Sequence, residues 1–210
     1  MWMHLDDAQY CAAKTGVAIA DTPTGPFRMI REMQPNRQDS RDMTLFQEGD
    51  RAWLVHSSNW NKTLDISELT EDFTDVNGIY TSVLIEQERE APALMKHGDF
   101  YYMVSSGCTG WDPNSALYAT AGYVMGHWKL IDNPCEGEGY RQTFGGQSTW
   151  IFEADGQTYL MLDHWCPEAL RESGYSILPV TFEKEQMKIS WTDVFEPAGK
   201  GRLRKQDESL

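Results

Sequence analysis

Three polar side chains recur at one position of a repeated pattern. Each repeat places a polar residue ahead of an apolar run, then a tight turn, then an aromatic-rich second run. The first reads Arg41-Asp42-Met43-Thr44-Leu45-Phe46, then Gly49-Asp50, then Ala52-Trp53-Leu54-Val55-His56-Ser57-Ser58. The second reads Arg89-Glu90-Ala91-Pro92-Ala93-Leu94-Met95-Lys96-His97, then Gly98-Asp99, then Phe100-Tyr101-Tyr102-Met103-Val104-Ser105-Ser106. The third reads Gly146-Gln147-Ser148-Thr149-Trp150-Ile151-Phe152, then Asp155-Gly156, then Thr158-Tyr159-Leu160-Met161-Leu162-Asp163. Aligned on the turns, Asp42, Glu90 and Gln147 open the same strand of three units. If the units pack around an axis, these side chains converge. Converging carboxylates repel each other and lose hydration, and both effects push at least one pKa upward. A carboxyl group that keeps its proton near neutral pH can act as a general acid. Glycosidic cleavage asks for such an acid, together with a group that orients or activates water. The competing reading is that Asp42 and Glu90 cap strands or pair with Arg41 and Arg89.

The loops after each second run carry matching chemistry. Asn59, Trp60 and Asn61 follow the Asp42 unit, Thr109, Trp111 and Asn114 the Glu90 unit, and His164 and Trp165 the Gln147 unit. Flat rings beside amides suit sugars, which offer an apolar ring face and a rim of hydroxyls. Trp111 is a candidate platform, with a plug between sheets as the alternative. No nucleophile elbow, phosphate loop, zinc-protease pair or dinucleotide fingerprint occurs. The five histidines form no ligand pattern, and His4 and His56 read as structural or rim residues.

The elements that must position these residues are strands. Alternating or short apolar runs bounded by Gly, Pro, Asn and Asp fill the chain, and no segment holds a helical period over 11 or more residues. Further strands are expected at Met1–Leu5, Gly16–Asp21, Arg28–Ile30, Leu64–Leu69, Tyr80–Leu84, Ala116–Ala119, Tyr175–Val180 and Ile189–Thr192. The three keyed positions lie 48 and 57 residues apart. Four short strands every ~40–50 residues mark a β-propeller rather than a sandwich. The fold class is therefore all-β, a β-propeller of about three and a half blades. The expected division is the outer part of a blade over 1–37, full blades over 38–86, 87–142 and 143–198, and a polar tail over 199–210. A chain that opens directly on a strand is expected to be a fragment or to start at an internal methionine.

The 210 residues carry a net charge of -14, which repels phosphate backbones and anionic membranes, so neither nucleic acid nor membrane is an expected partner. No apolar run approaches the ~20 residues of a membrane-spanning helix, and no signal peptide is visible. Cys11, Cys108, Cys135 and Cys166 have no metal-ligand spacing; free buried thiols are expected, with Cys108 and Cys135 able to lie close. No cofactor is expected, and a central ion in the channel has no support in the sequence.

Taken together, Arg41-Asp42-Met43-Thr44-Leu45-Phe46, Arg89-Glu90-Ala91-Pro92-Ala93, Ser106-Gly107-Cys108-Thr109-Gly110-Trp111 and Gln147-Ser148-Thr149 resemble glycoside hydrolase family 43. Within it they look most like the exo-β-1,3-galactanase and β-galactosidase branch, from Trp2 to about Phe195. The resemblance implies a five-bladed propeller with its first blade absent here, and hydrolysis with inversion of an oligo- or polysaccharide substrate. By position Glu90 matches the general acid, Asp42 the aspartate that tunes it and holds substrate, and Gln147 a glutamine near the attacking water. Tyr10, Asn59, Asn61 and Thr109 fall where that branch contacts galactose; Arg41 and Trp111 complete the candidate binding set. The family's usual base lies in the absent blade. The resemblance suggests a secreted or periplasmic protein. An α-L-arabinofuranosidase or β-xylosidase of the same family, and a non-catalytic glycan-binding propeller, are the alternatives.

Overall fold

The computed structural model describes residues 1–193. The expected tail over 199–210, and the end of the last expected blade, lie outside the described residues. Four sheets follow one another along the chain. The first holds β1 (Trp2–Leu5), β2 (Lys14–Ile19) and β3 (Arg28–Met33). The second is a meander of β4 (Met43–Glu48), β5 (Arg51–Ser58), β6 (Thr63–Leu69) and β7 (Val76–Val83). The third repeats it with β8 (Arg89–His97), β9 (Phe100–Gly107), β10 (Leu117–Ala121) and β11 (Lys129–Asp132). The fourth takes β12 (Cys135–Glu136), β13 (Gln147–Ala154), β14 (Gln157–His164), β15 (Gly174–Glu183) and β16 (Gln186–Ser190). Helical structure among the described residues is confined to 3-10 turns at Pro35–Arg37, Tyr140–Gly145 and Leu170–Glu172.

The aromatic-rich runs explain how the sheets stack. Successive side chains of a strand point to opposite faces, and here both faces are covered. On β9, Tyr102 and Val104 pack with Leu160, Leu162 and Leu178 of the fourth sheet. Their neighbours Tyr101 and Met103 pack with Trp53, Val55, Leu64 and Ile66 of the second. On β5, Ala52 and Leu54 turn the other way, onto Trp2 and Met43. Burying each such side chain on both faces contributes about 1.5–3 kcal/mol. This face-to-face stacking of consecutive meanders is the packing of a propeller, and it sets the inner strands β4, β8 and β13 side by side.

Two details depart from expectation. Cys135–Glu136, inside the stretch assigned to the preceding blade, pairs in parallel with β16, Cys135 opposite Ile189. The chain leaving the third sheet thus latches the outer edge of the fourth. The cysteines are all free, but only Cys135 is buried; Cys11 and Cys108 are exposed and Cys166 is intermediate. His56 lies within β5. It is wholly buried in β5, and neither ring nitrogen finds a partner. Burial pushes its pKa down, so it sits there as a neutral ring.

Candidate active site

The entry ends of β4, β8 and β13 are stitched together by side chains. Asp42 stands just before β4, and its Oδ2 accepts the amide of Ala91 at 3.1 Å. The carbonyl of the same Ala91 accepts Ser148 Oγ from β13 at 2.7 Å. Ala91 can do both because it leaves the ladder. Its φ is +50°, and the β8–β9 register slips between Glu90 and Ala93. The sequence supplies the reason, since Pro92 has no N–H for the ladder and is tolerated at a bulge. β13 has a matching slip between Ser148 and Trp150. The β8 slip follows directly on Glu90 and the β13 slip comes one residue after Gln147, and bulges are common beside active sites.

Glu90 and Arg89 consequently part company. Arg89 is buried with its guanidinium on the hydroxyl and carbonyl of Ser105, and burial pulls its pKa down to about 10. Glu90 faces the three inner strands. Asn61 Nδ2 donates to its Oε2 at 3.0 Å and Gln147 Nε2 to its Oε1 at 3.2 Å. Burial, then the charge of Asp42, raise its pKa to about 7, although the Cys108 thiol and the two amides pull the other way. Asp42 is raised as well, by burial. Arg41 pairs with Asp39 rather than Asp42. Neither acid is therefore neutralised by the arginine before it in sequence.

Gln147 is fixed by its partners. Its Nε2 also donates to Ser106 Oγ at 2.9 Å, and its Oε1 accepts the indole N–H of Trp165 at 3.0 Å. An indole only donates and a carboxylate only accepts, so the carboxamide has one orientation that satisfies both. Asp163 joins the group and was not singled out in the sequence. It pairs in register with Gln147. Its carboxyl pKa is raised by burial and then by Asp42, against a hydrogen bond from Thr149. The signal was present: Asp163 takes the position where the other two units have Ser57 and Ser106.

The remaining candidates divide. Asn61 reaches Glu90. Asn59 instead donates to Glu86 Oε1 at 3.2 Å. Arg41 is only 7% exposed; its guanidinium holds Asp39 and the Tyr10 carbonyl and lies 4.6 Å from the centre of the Trp60 ring. Tyr10 is exposed, its ring tilted 6.2 Å from His4. Thr109 Oγ1 donates to the Asp112 carbonyl and accepts Asn114 Nδ2, inside a loop that Asn114 clamps to both backbone groups of Gly107. Trp111 is half exposed and meets Trp165 edge-on, centroids 5.4 Å apart. The ring of Trp111 thus stands one contact away from Gln147. No grouping of three His, Cys, Asp or Glu suited to a metal ion occurs among the described residues. The central cavity of about 540 Å³ lies at the opposite end of the inner strands, lined by Leu45, Leu94, Trp150 and Ile151.

The family model of the glycosyl hydrolases family 43 matches residues 3–164. The chain belongs to that family. It superposes on a family 43 β-1,3-galactosidase solved with galactodeoxynojirimycin, at 36% identity and a TM-score of 0.87, over 93% of this chain and 72% of that one. It also superposes on an exo-β-1,3-galactanase from Phanerochaete chrysosporium solved with β-1,3-galactotriose, at 29% identity and a TM-score of 0.83, over 90% of this chain and 44% of that one. A third match is the exo-β-1,3-galactanase of Clostridium thermocellum, at 29% identity and a TM-score of 0.82, over 90% and 45%. The chain thus spans under half the length of the two galactanases. No curated protein sequence matches it. The family 43 fold makes the four stacked sheets part of a β-propeller.

Proposed function

We propose that this family 43 chain carries the acid half of an exo-acting β-1,3-galactan hydrolase. The observation behind the reading is Glu90: a carboxyl group titrating near 7, beside a second buried acid and gripped by two amides. A terminal galactose bound over Asp42 and Gln147 would present its glycosidic oxygen to Glu90. Proton transfer from Glu90 to that oxygen lets the leaving sugar depart as an alcohol, while water attacks the anomeric carbon from the other side of the ring and releases its proton to solvent, from which Glu90 is reprotonated. Burial, and then the charge of Asp42, keep the acid protonated in the free site. Gln147 commits both Nε2 hydrogens to Glu90 and Ser106, so only its Oε1 has a lone pair left for the water. It orients that water and does not take its proton. Trp111 and Trp165 offer ring surface at the rim.

The test is sugar release by the purified protein from β-1,3-galactan and from nitrophenyl galactoside, arabinofuranoside and xyloside. Galactose alone is expected. Glu90→Gln should lower kcat/KM by about 10³-fold while calorimetry still detects galactose oligomers. Release of arabinose or xylose would favour the sister activities. Oligomer binding without sugar release, the same in parent and Glu90→Gln, would leave a glycan-binding module.

A further inference from the structure

The turn that carries Asn61 is strained. It joins β5 to β6 through three successive residues in the left-handed region, Asn59 at φ +51°, Trp60 at +55° and Asn61 at +60°. Asparagine visits this region singly at small cost, but a run of three with a tryptophan at its centre persists only when its surroundings impose it. One carboxylate does so. Asp39 Oδ1 accepts the amide of Asn59 at 2.7 Å and Ser58 Oγ at 3.0 Å. Its Oδ2 accepts the amide of Trp60 at 3.0 Å and holds the Arg41 guanidinium. The indole of Trp60, 65% exposed, then lies over that guanidinium and closes the assembly. The far end of the turn delivers Asn61 Nδ2 to Glu90. The other amide atom, Asn61 Oδ1, is buried without a partner, so the side chain is held in place by the turn and by Glu90 alone.

We propose that Asp39 is a positioning residue for Glu90, acting through the strained Asn59–Asn61 turn and the Asn61 carboxamide. Asp39 stays ionised in this role. Burial pushes its carboxyl up, but the Trp60 and Asn59 amides, Arg41 and Ser58 together hold it below the usual carboxylate range. The inference concerns how Glu90 is held. It borrows from the proposed hydrolysis only the interest of that residue, and its test does not need turnover.

The test is the titration of Glu90 in full-chain protein carrying ¹³C-carboxyl glutamate, followed by NMR. Besides Asn61, Glu90 faces Gln147 from β13, the Asp42 carboxyl beside β4, the Cys108 thiol after β9 and, through its charge, Arg89. All of these are unchanged in the variants. A hydrogen bond to the ionised carboxyl favours the charged form, so its loss raises the pKa. Asn61→Ala should move Glu90 upward by about one pH unit. Asp39→Asn should move it in the same direction, and the double variant no further than the larger single shift. Asp39→Asn titrating like the parent, additive shifts, or no shift in Asn61→Ala would each overturn the proposal. A second measurement needs no variant. The ¹⁵N resonance of the Asn61 carboxamide should move in two steps, one with Glu90 near pH 7. The other lies in the acidic range, where the Asn59 and Trp60 amides report protonation of Asp39. An Asn61 carboxamide that follows Glu90 alone would equally sink it.

Discussion

Trp165 has no acid or base to offer, yet it decides which way Gln147 faces. Its N–H occupies Oε1 and so turns Nε2 toward Glu90 and Ser106. Trp165→Phe keeps the ring contact with Trp111 and removes only the donor. The carboxamide can then flip, setting Oε1 against a carboxylate. The expected result is a fall of about tenfold in kcat, the equivalent of one hydrogen bond to a charged partner, with KM little changed; a pure KM effect would make Trp165 a substrate platform instead. Glu90 itself predicts the pH profile. The acid works only while protonated, so kcat/KM should fall tenfold per pH unit above about 7. Part of the raised value comes from the charge of Asp42. Asp42→Asn should therefore shift that alkaline limb to lower pH as well as lowering the rate, and stopped assays between pH 5 and 9 would show both.

At the scale of the elements, the repeat was legible because it is written in side-chain type. A polar residue, an apolar run, a Gly-Asp or Asp-Gly turn and an aromatic run recur, and alternate residues of those runs do serve opposite sheets. The convergence of Asp42, Glu90 and Gln147 follows from that repeat. The bulges beside them were harder to read, because they depend on where a ladder slips, and only Pro92 hints at one. Asp39 and Asp163 were missed for other reasons. Asp39 acts through backbone amides that have no letter in a sequence, and Asp163 comes from a second strand that the alignment on first strands ignores. Arg41, in the candidate binding set, lies ahead of β4 and has its guanidinium on Asp39. The bulge at Ala91 gives a direct check. A residue at φ +50° welcomes glycine and resists β-branching. Ala91→Gly should stabilise the fold by about 0.5–1 kcal/mol and Ala91→Val should destabilise it by more than that. Thermal melting would register the pair as shifts of opposite sign, each of about 2–4 °C per kcal/mol for a chain of this size. Two shifts of the same sign would mean that the bulge does not hold Ala91 in the left-handed region.

Over the whole molecule, the site is a liability that pH should expose. Glu90, Asp42 and Asp163 all have pKa values raised in the fold, chiefly by burial. For Glu90, between the carboxylate range of the unfolded chain and about pH 7, the native state therefore holds a proton that the unfolded state has lost, and the other two act in the same direction. By linkage, stability is greatest below the unfolded values and declines as pH rises through the folded ones. Other groups set the lower limit. Glu48 is held low by Lys96 and Tyr101, and Asp72 is held down to about 2 by the hydroxyls of Thr70 and Thr74, so their contribution is lost only in stronger acid. The net charge of -14 acts in the same sense as the site, because acidification relieves its self-repulsion. Glu90→Gln separates the two causes, since it changes the overall charge by one unit but removes the raised Glu90 carboxyl from the site. A rise from 4.5 to about 7 corresponds to about 3 kcal/mol at full burial. Reduced for its solvent-facing part, it is about 2 kcal/mol. Glu90→Gln should accordingly be more stable than the parent by about that amount at pH 8 and equal to it near pH 4.5. Urea midpoints at the two pH values decide the matter. A variant that gains nothing at pH 8 would mean that Glu90 ionises in the fold as freely as it does in the unfolded chain.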